Sequence, residues 1–246
     1  MWAIANIETQ KQLQDKSLYF WTLILPIFFV VLFMELFAPD GTNLTVAASQ
    51  IITGFSVFFS IFIIISMTFS FLKDKDSGLV SRLASTPLSS YEYFIGKWIP
   101  FIVIVLVQFI VLAITGGILY DMVIDNLLIY SITALLITLM VTAWGLAISV
   151  FSKTENVGLA VTQVVAVGGG MISGLWMPLE TLPESLQTVG KLSPFYWGHQ
   201  GLLATISDHP GGENVLISLS IIALYMVVGF VLAILGYRKF LKEARN

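Results

Sequence analysis

A chain of 246 residues could form one or two soluble domains, but 57% of this one is hydrophobic and only 11% charged, with a mean hydropathy of +0.90. Ordinary soluble domains carry about 25% charged residues, so the chain lacks the polar surface to stay dispersed in water and reads as an integral membrane protein. Its net charge of −3 offers no broad basic face for nucleic acid, and with no cysteine it has no disulfide framework, thiol nucleophile or thiolate metal site.

The first 16 residues mix Trp2, Ile4, Ala5 and Leu13 with Glu8, Lys11, Asp15 and Lys16. That pattern suits a short helix lying in the membrane interface, although a polar lead-in without a special role is also compatible. Six apolar stretches of 20 to 25 residues follow: Leu18–Phe37, Ile51–Leu72, Trp98–Leu119, Leu127–Phe151, Val157–Met177 and Val215–Tyr237. A hydrocarbon core about 30 Å thick takes roughly 20 helical residues to cross. Each stretch is apolar all round and lacks the alternation of a membrane β-barrel. The predicted fold is therefore an all-α integral membrane protein with six transmembrane helices, forming one transmembrane domain over residues 1–246. The first stretch follows a polar segment of 17 residues and exceeds the apolar region of a cleaved leader, so it is expected to remain as a span. Eleven of the twelve lysines and arginines fall on one side of this arrangement, and only Lys191 falls on the other. The excess of positive charge predicts that both termini are cytoplasmic.

Between spans two and three, Asp76 is placed to cap a short helix carrying Leu79 and Leu83 on one face. Pro87 would stop it, and Ser89 with Glu92 has capping-box spacing for a second helix running through Phe94 and Trp98 into span three. A short helix across the cytoplasmic mouth, tied by a bend to a transmembrane helix, can transmit force from a soluble partner. An ordinary positively charged loop fits the same residues.

Span five contains Gly168-Gly169-Gly170 and then Gly174. Gly170 and Gly174 form a small-xxx-small pair, suited to close helix pairing or to a flexible gate. The loop from Pro178 to Asn214 is the large external one. Thr181 and Glu184 flank Pro183 at capping-box spacing, and Leu182, Leu186 and Val189 repeat helically until Gly190 is expected to end the turn. After Pro194 come Phe195, Tyr196 and Trp197, then Leu202, Leu203 and Ile206. These residues predict a helical hairpin dipping into the outer leaflet, either as a re-entrant lid or as a connector resting on the membrane.

Nothing in the chain reads as a catalytic, cofactor or metal site. His199 and His209 are the only histidines and form no His-Glu-x-x-His pattern. Ser66, Ser70 and Ser149 have no evident base and are expected to bond to carbonyls one turn back. Glu35 is the only acidic residue within a predicted span, and Gln108 and Gln163 cannot carry a proton cycle. Gly96-Lys97 and Gly190-Lys191 lack the rest of a phosphate-binding loop. The expected energy source therefore lies outside the bundle, in another subunit.

Several segments together resemble the permease subunits of ABC-2 type transporters, most closely the bacterial multidrug and antibiotic-resistance branch. They are Leu25-Pro26, the run from Ser77 through Arg82, Leu83, Thr86 and Pro87 to Leu88, Gly96-Lys97, the stretch Ile172–Leu179, Leu182-Pro183 and Leu192–Tyr196. The resemblance implies that Leu79, Arg82, Leu83, Thr86 and Pro87 belong to a coupling helix docking on an ATP-binding cassette ATPase. It also implies an interfacial connecting helix before span one and an external re-entrant hairpin carrying Pro183, Pro194, Phe195, Tyr196 and Trp197. Two permeases, expected as a homodimer, would join two ATPases that bind ATP and Mg, with spans one and five lining the path and Gly170 and Gly174 at its pairing surface or gate. The implied activity is export of an amphiphilic drug, antibiotic, peptide or lipid-like substrate across the bacterial cell membrane, among membrane lipids and without nucleic acid. Two other readings remain: an ion-gradient-driven secondary transporter, and a non-transporting membrane sensor or immunity protein. Co-purification with a nucleotide-binding subunit separates the three.

Overall fold

The computed structural model describes residues 2–37, 44–79, 90–206 and 214–243. Among these residues the secondary structure is helical, apart from turns and a single bridge between Ile124 and Ile206. Six helical segments are long and apolar enough to cross a membrane: Phe20–Phe37, Leu44–Asp76, Glu92–Tyr120, Leu127–Phe151, Glu155–Ile172 and Val215–Tyr237. These are spans one to six of an all-α membrane protein.

Spans two and four form the centre. Of their most apolar windows 78% and 67% are buried, against 28% or less for the other four, whose free faces are the lipid-facing exterior. The sequence pattern explains the difference. Span two is studded with small hydroxyl residues that bond back to their own helix, as Thr53 does to the Ser49 carbonyl (2.6 Å), Ser56 to Ile52 (2.7 Å) and Thr68 to Ile64 (2.8 Å). With these groups satisfied internally, the helix buries on every side without an unpaired polar cost. Phenylalanines fill the remaining space, and the Phe33 and Phe55 rings of spans one and two meet edge-on at 4.8 Å.

Several helix limits differ from the sequence expectation. Span two starts at Leu44 and ends at Asp76, turning tightly at Ile61 and Phe62 on the way. Asp76 thus belongs to the end of this helix, after which Gly78 turns the chain with a φ of 68°; the helix expected to follow lies outside the described residues. Span three begins earlier, at Ser90, and carries Pro100 inside it. Span five stops at Ile172, five residues short of the apolar run. The Leu175 amide reaches back to the Gly170 carbonyl (3.2 Å), a closure that needs a left-handed residue, and Gly174 supplies it with a φ of 72°. Gly174 therefore lies outside the helix that carries Gly170.

Spans one and five each contain a π-helical turn, Phe20–Ile24 and Val164–Gly168. In span one it immediately precedes Leu25-Pro26, where the Leu25 amide bonds five residues back to Phe20 and Pro26 has no amide to give.

Close backbone approach fixes where span five ends against span two. A Cβ on Gly54 would lie 2.0 Å from the Leu175 carbonyl oxygen, whereas one on Gly168 would meet nothing within 4 Å. Gly54→Ala is expected to lower the thermal midpoint of the purified protein, because overpacking against backbone costs about 1–3 kcal/mol or more. Gly168→Ala is expected to leave it unchanged or raise it, since alanine is favoured over glycine in a helix by up to about 1 kcal/mol. Equal melting of the two variants in detergent would refute this reading of the contact.

Candidate functional site

The N-terminal helix, Trp2–Gln14, runs along the start of span three. Trp2, Ile7 and Leu13 point outward, while Ala5, Glu8 and Gln12, spaced three and four apart, are buried against the bundle. Asn6, Thr9, Gln10, Lys11 and Gln14 are exposed as well, so the outer side is mixed, and the buried Glu8 and Gln12 must find partners within the protein.

They find them in a buried cluster of charge joining three elements. Lys97, on span three, is fully buried. Its ammonium donates to an Asp74 carboxylate oxygen at the end of span two and to the Ser70 carbonyl at 2.8 Å. Glu8 lies 3.7 Å away on the N-terminal helix. The Tyr93 hydroxyl donates to the same carboxylate oxygen, Asp74 Oδ2, at 2.9 Å. Glu8 accepts from the Ser70 hydroxyl and from Gln12 Nε2 (2.8 Å), while the half-exposed Lys11 closes the cluster at 3.4 Å from Asp74 and 3.6 Å from Glu8. The rings of Phe71 and Tyr93 lie 5.0 and 5.7 Å from the Lys97 nitrogen, within cation–π range.

This arrangement makes a joint. Buried charges hold only while paired, so the N-terminal helix, the end of span two and the start of span three cannot separate without exposing or orphaning an ion. The joint sits at both roots of the segment from 80 to 89, because Asp74 lies just before it and Tyr93 and Lys97 just after it.

The sequence expectation missed Glu8, Ser70, Asp74, Tyr93 and Lys97. The apolar runs end at Leu72 and begin at Trp98, which leaves Asp74 and Lys97 outside the predicted spans and Glu35 as the only acidic residue within one. The available signal was that each continues an aromatic helix by one turn, Phe71 before Asp74 and Phe94 before Lys97. Ser70 also departs from expectation, since it serves Glu8, whereas Ser149 bonds one turn back to Gly145 at 2.6 Å.

Of the residues expected to couple the permease to a motor, Leu79 is half-buried, and Arg82, Leu83, Thr86 and Pro87 lie outside the described residues. Gly170 and Gly174 both make contacts within the chain. A Cβ on Gly170 would come 3.0 Å from the Phe58 ring of span two, and one on Gly174 3.2 Å from Leu179.

The opposite end of the bundle carries a helical hairpin with limbs Glu184–Leu192 and Pro194–Leu203. Pro183 precedes the first limb without a side-chain cap, and the Thr181 hydroxyl goes to the Pro178 carbonyl (2.7 Å), so no capping box forms. The helix also continues past Gly190, whose missing side chain admits the Ile172 carbonyl; a Cβ there would sit 2.2 Å from it. Pro194 opens the second limb at its first turn, with the Ser193 hydroxyl accepting from the Phe195 amide at 3.3 Å.

The two limbs behave differently. Leu186, Val189 and Leu192 of the first are exposed, whereas the second enters the bundle, with Tyr196, His199, Leu202 and Leu203 buried. Gly198 sits against Ile137 and Val57, and Gly201 against Thr133 and Ser218, so this limb is wedged between spans two, four and six. Phe195 covers Gly169, and Trp197 Nε1 donates to the Lys191 carbonyl at 2.7 Å, tying limb to limb. His199 Nε2 lies 3.2 Å from the Gln50 carbonyl, a structural contact at the start of span two. The second limb thus penetrates the bundle, as a re-entrant element does.

The whole stretch from the N-terminal helix to the end of the hairpin matches a single family model, that of the ABC-2 type transporter, over residues 1–206. This chain belongs to the ABC-2 type transporter family. The permease is 25% identical over 230 residues to a Bacillus subtilis protein named as a transport permease, YvfS, covering 90% of this chain and 91% of that one. It is 24% identical over 191 residues to the linearmycin resistance permease protein LnrN of Bacillus subtilis, covering 78% of this chain and 49% of that one. It is also 24% identical over 136 residues to an Escherichia coli protein named as a multidrug ABC transporter permease, YbhR, covering 54% of this chain and 36% of that one. The permease therefore spans about half or less of the length of the last two. Its family and its six spans make it a multi-pass membrane permease rather than an enzyme, and the family implies partnership with an ABC ATPase.

Proposed function

We propose that this ABC-2 permease is the membrane half of a bacterial exporter, driven by a separate ATP-binding cassette ATPase and moving an amphiphilic drug, antibiotic, peptide or lipid-like substrate outward. Two copies of the permease and two ATPases, the latter binding ATP and Mg, form the working unit in the cell membrane, with both permease termini cytoplasmic. The observation that carries this reading is the buried joint of Glu8, Asp74 and Lys97. It holds both roots of the coupling segment as one body with the interfacial helix, which is what a passive bundle needs in order to receive force from outside. The π-helical turns of spans one and five, the glycines of span five, and the resistance and multidrug names of two relatives favour the same function.

An ion-coupled transporter gains from the same cluster the buried ionisable groups it requires. Those groups lie at the end of the bundle beside the interfacial helix, however, and not near its middle where coupling ions bind. Reconstitution in proteoliposomes separates the two readings. An amphiphilic fluorescent dye is expected to move uphill only when the permease, a cassette ATPase and ATP are all present. Uphill movement by the permease alone under a proton or sodium gradient would overturn the proposal.

A further inference from the structure

A cavity of about 240 Å³ lies between the N-terminal helix, span one and span three. Drug-sized ligands usually occupy about 300–1,000 Å³, so this space suits something slimmer. Four polar side chains reach its wall, and each is committed within the protein. Thr9 donates to the Ala5 carbonyl (2.7 Å), Gln12 to Glu8 (2.8 Å), Thr22 to Leu18 (2.6 Å) and Tyr19 to Leu13 (3.2 Å). The rest of the wall is apolar, with Pro100 at its back and the half-exposed Val103 and Val107 at a mouth on the lipid-facing surface. A guest here is offered hydrocarbon contact and no hydrogen bond. Lys16, exposed, opens the short helix whose Leu18 and Tyr19 line the cavity, placing a positive charge at the headgroup end.

We propose that this cavity holds an acyl chain of an anionic phospholipid from the leaflet at the N-terminal helix's end of the bundle, with its headgroup over Lys16. The lipid fills the gap between the N-terminal helix, span one and span three, which adjoins the charge cluster through Gln12, and so completes the packing of that helix.

The test uses the full chain in nanodiscs of equal phosphatidylcholine and phosphatidylglycerol, doped with phosphatidylglycerol bearing a photoactivatable diazirine in mid-chain. Labelling is expected to concentrate on Leu13–Leu23 and on Ile99–Val107, in excess over spans five and six. Val103→Trp, whose ring fills the mouth, should lower that labelling about 15- to 60-fold, as follows from displacing two or three buried methylenes. Lys16→Gln gives a second readout independent of cavity filling: labelling by the phosphatidylglycerol probe falls, and labelling by the matching phosphatidylcholine probe does not. Equal labelling of every lipid-facing span, undiminished labelling of Val103→Trp, or equal effects of Lys16→Gln on both probes would overturn the assignment. So would a disulfide between copies of Val103→Cys, the chain's only thiol in that variant, because it would show a second permease covering the groove.

Discussion

Lys97→Met is expected to destabilise the permease by about 3–5 kcal/mol, the cost of removing one partner from a buried ion pair. Methionine matches the lysine stem in length, so packing against Phe71 and Tyr93 is largely kept and the loss is electrostatic. Asp74 and Glu8, 6% and 2% exposed, would then face each other's surroundings with only the half-exposed Lys11 as counter-charge. Against a total stability of about 5–15 kcal/mol, that loss should appear as poor recovery from the membrane and a lower melting temperature in detergent. The decisive comparison adds Asp74→Asn and Glu8→Gln to Lys97→Met. Removing a buried ionic group in full is often nearly neutral, so the triple variant should recover most of the lost stability. If the triple variant melts no higher than Lys97→Met alone, the cluster is not the source of the effect.

Leu83→Asp is expected to abolish transport while leaving insertion and melting unchanged. The resemblance places Leu83 on the apolar face of a helix docking on the ATPase, one turn from Leu79. A carboxylate forced into such a contact without a partner costs several kcal/mol, so affinity for the ATPase should fall about a hundredfold or more. Leu83→Ile keeps the apolar contact and should retain most activity. Normal efflux in cells expressing Leu83→Asp, with the protein present at ordinary levels, would remove the coupling role from this segment. The Lys97 and Leu83 variants separate two properties: the first tests the integrity of the joint, and the second the docking that the joint supports.

Much of the architecture could be read from composition and run length. Six apolar runs of sufficient length give six helices because a backbone in hydrocarbon must satisfy its own hydrogen bonds, and a helix does so locally. For the same reason Leu127–Phe151 is the same in sequence and structure, since the Asn126 side chain caps its first turn and the helix has room to finish. The hairpin was legible from Pro183, Pro194 and the apolar repeats between them. The burial of its second limb was not, because Gly198 and Gly201 acquire meaning only from Ile137 and Thr133 on another span.

Local chemistry in the amino-acid string thus determined the class of protein, the number of spans, the absence of a phosphate-binding loop and the segments that resemble a coupling helix and an external hairpin. Tertiary structure alone decided which spans lie at the centre, where span five stops, and that Glu8, Asp74 and Lys97 meet. Hydropathy is summed along neighbours in the chain, and so it sees a charge one turn beyond an apolar run as the edge of the membrane. For Lys97, whether the charge faces water or a partner depends on residues 23 and 89 positions away, and only the packing of three helices brings them together.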